Sequence, residues 1–175
     1  MPTAAFVKAK SEGRKFEKQV FKLLEESGAY VIDTDNLPYQ QKKGCDCYIK
    51  LLNSDGTFKR DPRGYVICQP VEIKLDKMSE QTQNVCIDLD SLEKTNAVVW
   101  IFGLPEGDRI DVYAVMTAEL ALYAKNCARR AFGGEYGMEV ALIPKEQFIA
   151  SKLTSKWKSI INQNTVEKEA KRLAA

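Results

Sequence analysis

The stretch Pro70-Val71-Glu72-Ile73-Lys74-Leu75 decides the fold. Val71, Ile73 and Leu75 alternate with Glu72 and Lys74, and a period of two predicts a buried strand that carries two charges. Glu72 and Lys74 then emerge on one face, about 7 Å apart along the strand, while the three apolar side chains point the other way. An acid and an amine are fixed side by side. Taken alone, a Glu-x-Lys reads as an incidental ion pair on a solvated strand face, so the rest of the chain has to change the odds.

Composition narrows the chemistry available. The 175 residues, 45% hydrophobic and 29% charged, supply one core and predict a single domain over 1–175. A formal net charge of +2 neither requires nor excludes a polyanionic partner. No apolar run is long enough to span a bilayer, and Met1-Pro2-Thr3-Ala4-Ala5-Phe6-Val7-Lys8 lacks the apolar stretch of a secretory signal. A soluble, cytoplasmic protein with no membrane partner is the expectation. The five cysteines, Cys45, Cys47, Cys68, Cys86 and Cys127, form no C-x-x-C pair, which argues against structural zinc and a disulfide framework. The chain contains no histidine, which removes Ser-His and Cys-His nucleophile systems and imidazole-bound zinc. Hydrolytic chemistry here must use carboxylates, lysine and hard metal ions.

Upstream of the strand, Ser11 is a reasonable N-cap for a helix beginning near Glu12, after a loose basic arm over residues 1–10. Phe16, Val20, Leu23 and Leu24 recur at helical spacing, and Gly28 is placed to stop the helix. Glu17 borders that apolar stripe; it reads equally as a surface glutamate near the positive end of the helix dipole. Ala29 to Ile32 forms a short strand, Asp33 to Lys43 a polar loop, and Gly44 turns the chain into a strand over Cys45 to Leu52 with Asp46 at its head. Turn signals at Asp55-Gly56 and Asp61-Pro62-Arg63-Gly64 return the chain to a strand over Tyr65 to Leu75, with Pro70 at an edge or bulge.

Downstream, Ile87 to Lys94 holds a short helix, and the apolar run Ala97 to Phe102 is a central strand ended by Gly103 and Pro105. A strand over Ile110 to Met116, a helix over Ala118 to Arg130, a strand over Met138 to Ile143 and a helix from Pro144 through Ile149 follow. Lys152, Lys156 and Lys158 around Leu153 and Trp157 suit an amphipathic helix packing on the core or on another subunit.

Helix, strand, strand, strand, helix, strand, with acids at three joints, resembles the PD-(D/E)XK nuclease superfamily, the fold of many restriction enzymes, Holliday junction resolvases and some homing endonucleases. The residues that carry the likeness are Gly13-Arg14-Lys15-Phe16-Glu17, Gly44-Cys45-Asp46 and Val71-Glu72-Ile73-Lys74. It covers roughly residues 11 to 103, departs from the pattern in having Cys45 where proline is common, and needs a turn-rich insertion at 53 to 64. The resemblance implies an α/β, restriction endonuclease-like αβββαβ core with a mixed central sheet flanked by helices. The part from 104 to 175 would then add C-terminal strands and helices for core completion, DNA contact or oligomerisation.

The same resemblance implies a role for each residue. Asp46 and Glu72 would bind Mg²⁺, with Mn²⁺ as a substitute, and the Ile73 carbonyl would be a further oxygen ligand. Lys74 would orient or deprotonate the attacking water and neutralise developing charge. Glu17 would bind a second metal or hold a water on the first. Lys42 and Lys43 border this site and read equally as phosphate contacts or as a solvated loop, and Gln81 and Gln83 read better as polar loop residues than as substrate contacts. The expected function is a metal-dependent DNA endonuclease, a homodimer or higher symmetric oligomer, of site-specific homing or restriction type or of resolvase type. A non-catalytic nucleic-acid-binding or assembly protein on the same fold is the reading from another class.

Overall fold

A computed structural model of the chain describes residues 4–37, 39, 43–132, 138–151 and 154–161. The protein is mixed α/β, and its residues group into two compact units, Met1–Lys74 with Lys94–Trp100, and Leu75–Glu93 with Ile101–Ala175.

The first unit starts with α1 (Ala4–Glu26). It begins well before the Glu12 start expected from Ser11. A serine cap contributes about 1 kcal/mol, and the Ala- and Lys-rich run 4–10 favours extension of the helix beyond it. Phe16, Val20, Phe21 and Leu24 are buried along one stripe, and Gly28 at φ +84° ends the helix as its position predicts. Strands β1 (Ala29–Asp33), β2 (Cys47–Leu51) and β3 (Cys68–Leu75) follow as an antiparallel run in the order β1-β2-β3. Val31 faces Ile49 and Cys47 faces Val71. Ile49, Cys47 and Val71 in this set are buried, on the face that carries Asp33 to Arg14 and Lys18 of α1. Cys45 and Cys47 are buried free thiols in this core, and burial pushes the Cys45 thiol up to about 11 and Cys47 higher still. The excursion 53–66 pairs locally through Leu52 with Phe58 and Arg60 with Val66. Val98 N–H donates to Pro70 C=O at 2.8 Å, so Pro70, which has no N–H, still contributes its acceptor to the sheet.

In the second unit, α2 (Ser79–Thr82) and β4 (Asn84–Asp88) take up the polar segment after Lys77, and α3 (Leu89–Lys94) is the short helix expected within Ile87 to Lys94. Strand β4 pairs antiparallel with β8 (Met138–Pro144), which pairs with β7 (Ala128–Phe132). Helix α4 (Thr117–Lys125) stops five residues short of the expected Arg130, because 128–132 is drawn into the ladder with β8. A gain of ladder hydrogen bonds overrides helix propensity there. Strand β5 (Val99–Glu106) runs through Gly103 and Pro105 instead of ending before them. Buried Phe102 and Leu104 anchor the run, and Asp76 N–H donates to the Gly103 carbonyl at 3.0 Å. Neighbouring β6 (Arg109–Met116) pairs antiparallel with β9 (Thr154–Ile161).

That last strand corrects the amphipathic helix expected around Lys156, Trp157 and Lys158. Lys156-Trp157-Lys158 alternates with period two, the strand signal, and β6 supplies its partner; Lys152 and Leu153 lie outside the described residues. Helix α5 (Lys145–Ala150) opens after Pro144 as expected. Lys145 is buried, donating to Pro105 C=O at 3.3 Å and pairing with Glu106, which satisfies its charge inside the unit. Among the described residues no helix is long and apolar enough to cross a membrane.

Candidate metal centre

Asp46 heads β2 from a segment that is fixed on three sides. Thr34, fully buried just after β1, donates its hydroxyl to the carbonyls of Cys45 at 2.6 Å and Asp46 at 2.8 Å, and its N–H bonds the Asp46 carbonyl at 3.2 Å. Thr95 Oγ1 donates to Gly44 C=O at 2.7 Å, and Asn96 N–H to Lys43 C=O at 2.9 Å. On the third side Asp46 N–H donates to Val71 C=O at 2.9 Å. The 53–66 excursion therefore does bring Asp46 back beside Glu72, because its local pairing closes a loop between β2 and β3 without displacing either strand. The side chain is fixed too, since Asp46 Oδ2 accepts the Ile73 N–H at 2.7 Å.

Gly44 sits at φ +58°, and a Cβ there would lie 3.0 Å from Thr95 Oγ1 and 3.6 Å from Glu72 Oε2. The backbone thus closes over the Glu72 carboxylate at a position only glycine suits. Glu72 is 4% exposed. Its Oε1 pairs with Lys74 Nζ at 2.6 Å, while Oε2 is buried with no hydrogen-bond partner. The alternation read from the sequence holds Glu72 and Lys74 on one face, with Lys74 Nζ also 5.9 Å from the Trp100 ring centroid.

Burial and the neighbouring Glu72 charge push the Asp46 carboxyl up to about 7, with Glu17 adding to the rise and the Ile73 N–H and Lys74 opposing it. The Glu72 charge opposes ionisation of Asp46, and Glu72 has a lone buried oxygen. A hard divalent cation relieves both conditions, so the residues present fit one. Among the described residues no three Asp, Glu or Cys side chains gather into a group that could hold a metal ion. The donor set is a carboxylate pair, which suits Mg²⁺, an ion that keeps several waters and is commonly held by one or two carboxylates plus substrate phosphate.

Glu17 is held by a guanidinium. Its Oε2 meets Arg14 Nη1 at 2.5 Å, and Arg14 Nη2 also meets Asp33 at 2.5 Å and Asp35 at 3.0 Å. Burial lowers the Arg14 basicity, but the bonds to Asp33 and Glu17 outweigh it and raise the guanidinium above its usual value. Burial likewise raises Asp33, yet Arg14 and Lys18 bring it down to about 2. Arg14 escaped the sequence reading as a site residue, although it lies three positions before Glu17 on the same helix face, a spacing that signals such a pair. Thr34 and Thr95 carried no sequence signal, because a buried threonine braces only the backbone that folding brings to it.

Lys43 lies in the same unit, its Nζ 4.5 Å from the Tyr39 ring centroid, and Lys42 lies outside the described residues. Gln81 and Gln83 belong to the other unit. Gln83 takes the left-handed conformation at φ 55° after α2 and donates to Glu80 C=O at 2.6 Å, a capping role.

The fold and site define a mixed α/β protein with a carboxylate pair and an adjoining lysine at the head of antiparallel strands. No protein-family model matches the chain, and neither a curated protein nor a solved structure matches it.

Proposed function

We propose that the protein is a divalent-metal-dependent DNA endonuclease with a restriction endonuclease-like core. The observation that carries this reading is the buried, unpartnered Oε2 of Glu72 beside an Asp46 whose ionisation is suppressed. A purely structural ion pair would leave neither, since buried charges in folded proteins are ordinarily matched on both oxygens. Asp46, Glu72 and the Ile73 carbonyl would hold Mg²⁺ or Mn²⁺. That ion, when bound, supplies charge for the phosphate oxygens and lowers the pKa of water.

The chain's own residues do the rest. Lys74, 44% exposed at its side chain and tethered by Glu72, presents an ammonium to the phosphate. It balances the negative charge that builds as the phosphodiester is attacked, and it positions the attacking water by hydrogen bonding. Ile73 N–H holds Asp46 Oδ2 and leaves Oδ1 outside that bond. A site that cuts one strand implies a symmetric homo-oligomer for cleavage of a duplex. Site-specific and junction-selective action are both served by this machinery.

Supercoiled plasmid, synthetic four-way junctions and genomic DNA, each incubated with Mg²⁺ or EDTA, test the reading. Mg²⁺-dependent cuts lost in Asp46→Ala and Lys74→Ala, with DNA binding kept, are expected. Binding without cleavage of any of these substrates would leave the non-catalytic reading in its place.

A further inference from the structure

Strand register sorts the side chains of the first unit onto two faces. Ile49, Cys47 and Val71 occupy the buried face. The alternate positions put Tyr30 opposite Lys50 and Tyr48 opposite Pro70 on the other face, which continues along β3 to Glu72 and Lys74. The bridges Leu52 to Phe58 and Arg60 to Val66 extend this face into the 53–66 excursion.

The face is aromatic and cationic. Tyr30 is 51% exposed, and the Phe58 ring stands edge-on to it at 5.7 Å and 76°. Lys50 Nζ lies 5.2 Å from the Phe58 centroid, leaving its charge at the edge of an aromatic surface. The acids of the face, Glu72 in a buried pocket and Asp46 at the head of β2, are confined to the Lys74 end. The two acids of the excursion are turned to their own turns. Asp55 Oδ1 takes the Thr57 N–H at 2.9 Å and Asp61 Oδ1 takes the N–H groups of Arg63 and Tyr65 at 2.9 Å each.

We propose that this face binds an unpaired polynucleotide strand and leads it to Lys74. Exposed rings such as Tyr30 stack on base faces, which only an unpaired strand offers, at about 1–3 kcal/mol per base. From Cys68, beside Lys50, to Lys74 the strand runs about 20 Å, room for a run of about four nucleotides, the lower end of known single-strand sites. Bases stack on Tyr30 and Tyr48, and phosphates meet Lys50 and Arg60. The path's end at Lys74 rests on the nuclease reading; the binding itself does not.

Fluorescence anisotropy with a labelled oligo-dT of about twelve nucleotides and a hairpin duplex of equal charge, both in EDTA, tests it. Tighter binding of oligo-dT than of the duplex is expected. Tyr30→Ala should weaken oligo-dT about tenfold, with Tyr30→Phe restoring it. Lys50→Ala should weaken it severalfold and flatten the log–log salt slope by about 0.7, one phosphate contact. Lys59, next to Phe58 but alternating to the opposite face, serves as the matched charge control, and Lys59→Ala should change neither. Duplex preference, an unaffected Tyr30→Ala, or equal losses from Lys59→Ala and Lys50→Ala would overturn the proposal. So would binding of neither probe, and plasmid cleavage in Mg²⁺ would then still decide the nuclease reading separately.

Discussion

The Ile73 N–H donates to Asp46 Oδ2 at 2.7 Å, and this one bond couples the head of β2 to the center of β3. It orients the Asp46 carboxylate while the strand's side chains, Glu72 before Ile73 and Lys74 after it, address the same region. Asp46→Asn retains the shape but removes the charge, and Lys74→Met removes the ammonium from an exposed position. Each is expected to lower Mg²⁺-dependent cleavage by about 10²–10⁴-fold with circular dichroism unchanged. Cleavage within a fewfold of wild type in either variant would remove that residue from the reaction.

Asp46 also makes the centre pH-dependent. Its folded-state value of about 7 lies above the unfolded carboxyl value, so between about pH 4 and 7 the native state holds a proton that the unfolded state has released. Stability from this group is present at low pH and declines as pH rises through 7. A cation bound by Asp46 would have to displace that proton. Calorimetric Mn²⁺ binding in buffers of different ionisation enthalpy should therefore show about half a proton released at pH 7, and affinity falling about tenfold per unit below it. Proton release unchanged in Asp46→Asn would assign the titration to another group.

The sequence disclosed the pairing of Glu72 with Lys74 better than the frame around it. Alternation in Val71-Glu72-Ile73-Lys74 determined the shared face of Glu72 and Lys74, because a strand's period of two is local and leaves little to the rest of the chain. The placement of Asp46 against Glu72 was not local. It depends on Thr34 and Thr95, and on Gly44 adopting φ +58° next to the Glu72 carboxylate. The same distinction explains the misplaced elements. Propensity favours a helix over 118–130 and amphipathic charge favours one over 152–158, but ladders with β8 and β6 claim 128–132 and 154–161. Such ladders form between residues far apart in sequence, and a single chain read in order gives no pairing partner.

Gly44 should tolerate no side chain. Gly44→Ala places a Cβ 3.0 Å from Thr95 Oγ1 and 3.2 Å from Thr95 Cβ, and it retains the strain of a positive φ. A loss of about 1–2 kcal/mol is expected from the backbone alone, read by urea unfolding. Adding Thr95→Ala should relieve the contact but not the φ strain, so the double variant should recover only part of the loss. Full recovery would show that the contact, and not the backbone, sets the requirement.

Thr34 carries the positioning of Asp46 from the β1 side. In Thr34→Val the carbonyls of Cys45 and Asp46 lose a buried donor, which costs about 1–3 kcal/mol. A merely structural threonine would lower stability and leave the Asp46 titration in place. If Thr34 holds Asp46 against Ile73, the Asp46 carboxyl resonance in a carbon-13 NMR titration should move from its midpoint of about 7, with Thr34→Ser restoring it. An unmoved midpoint in a destabilised variant would limit Thr34 to folding.

Glu17 supplies the last contrast, because a carboxylate already neutralised by a guanidinium gains little from a metal. Arg14 joins Glu17 to Asp33 and Asp35, and releasing Glu17 toward the centre would strip Arg14 of one of three acidic partners in a half-buried position. One divalent ion per chain is therefore expected from Mn²⁺ titration followed by electron paramagnetic resonance. Glu17→Gln should change its affinity by no more than about threefold, through the long-range charge that Asp46 feels, whereas Glu72→Gln should abolish binding. Two ions in the wild type, falling to one in Glu17→Gln, would instead place Glu17 in a second metal shell and make its bond to Arg14 a resting arrangement that the metal displaces.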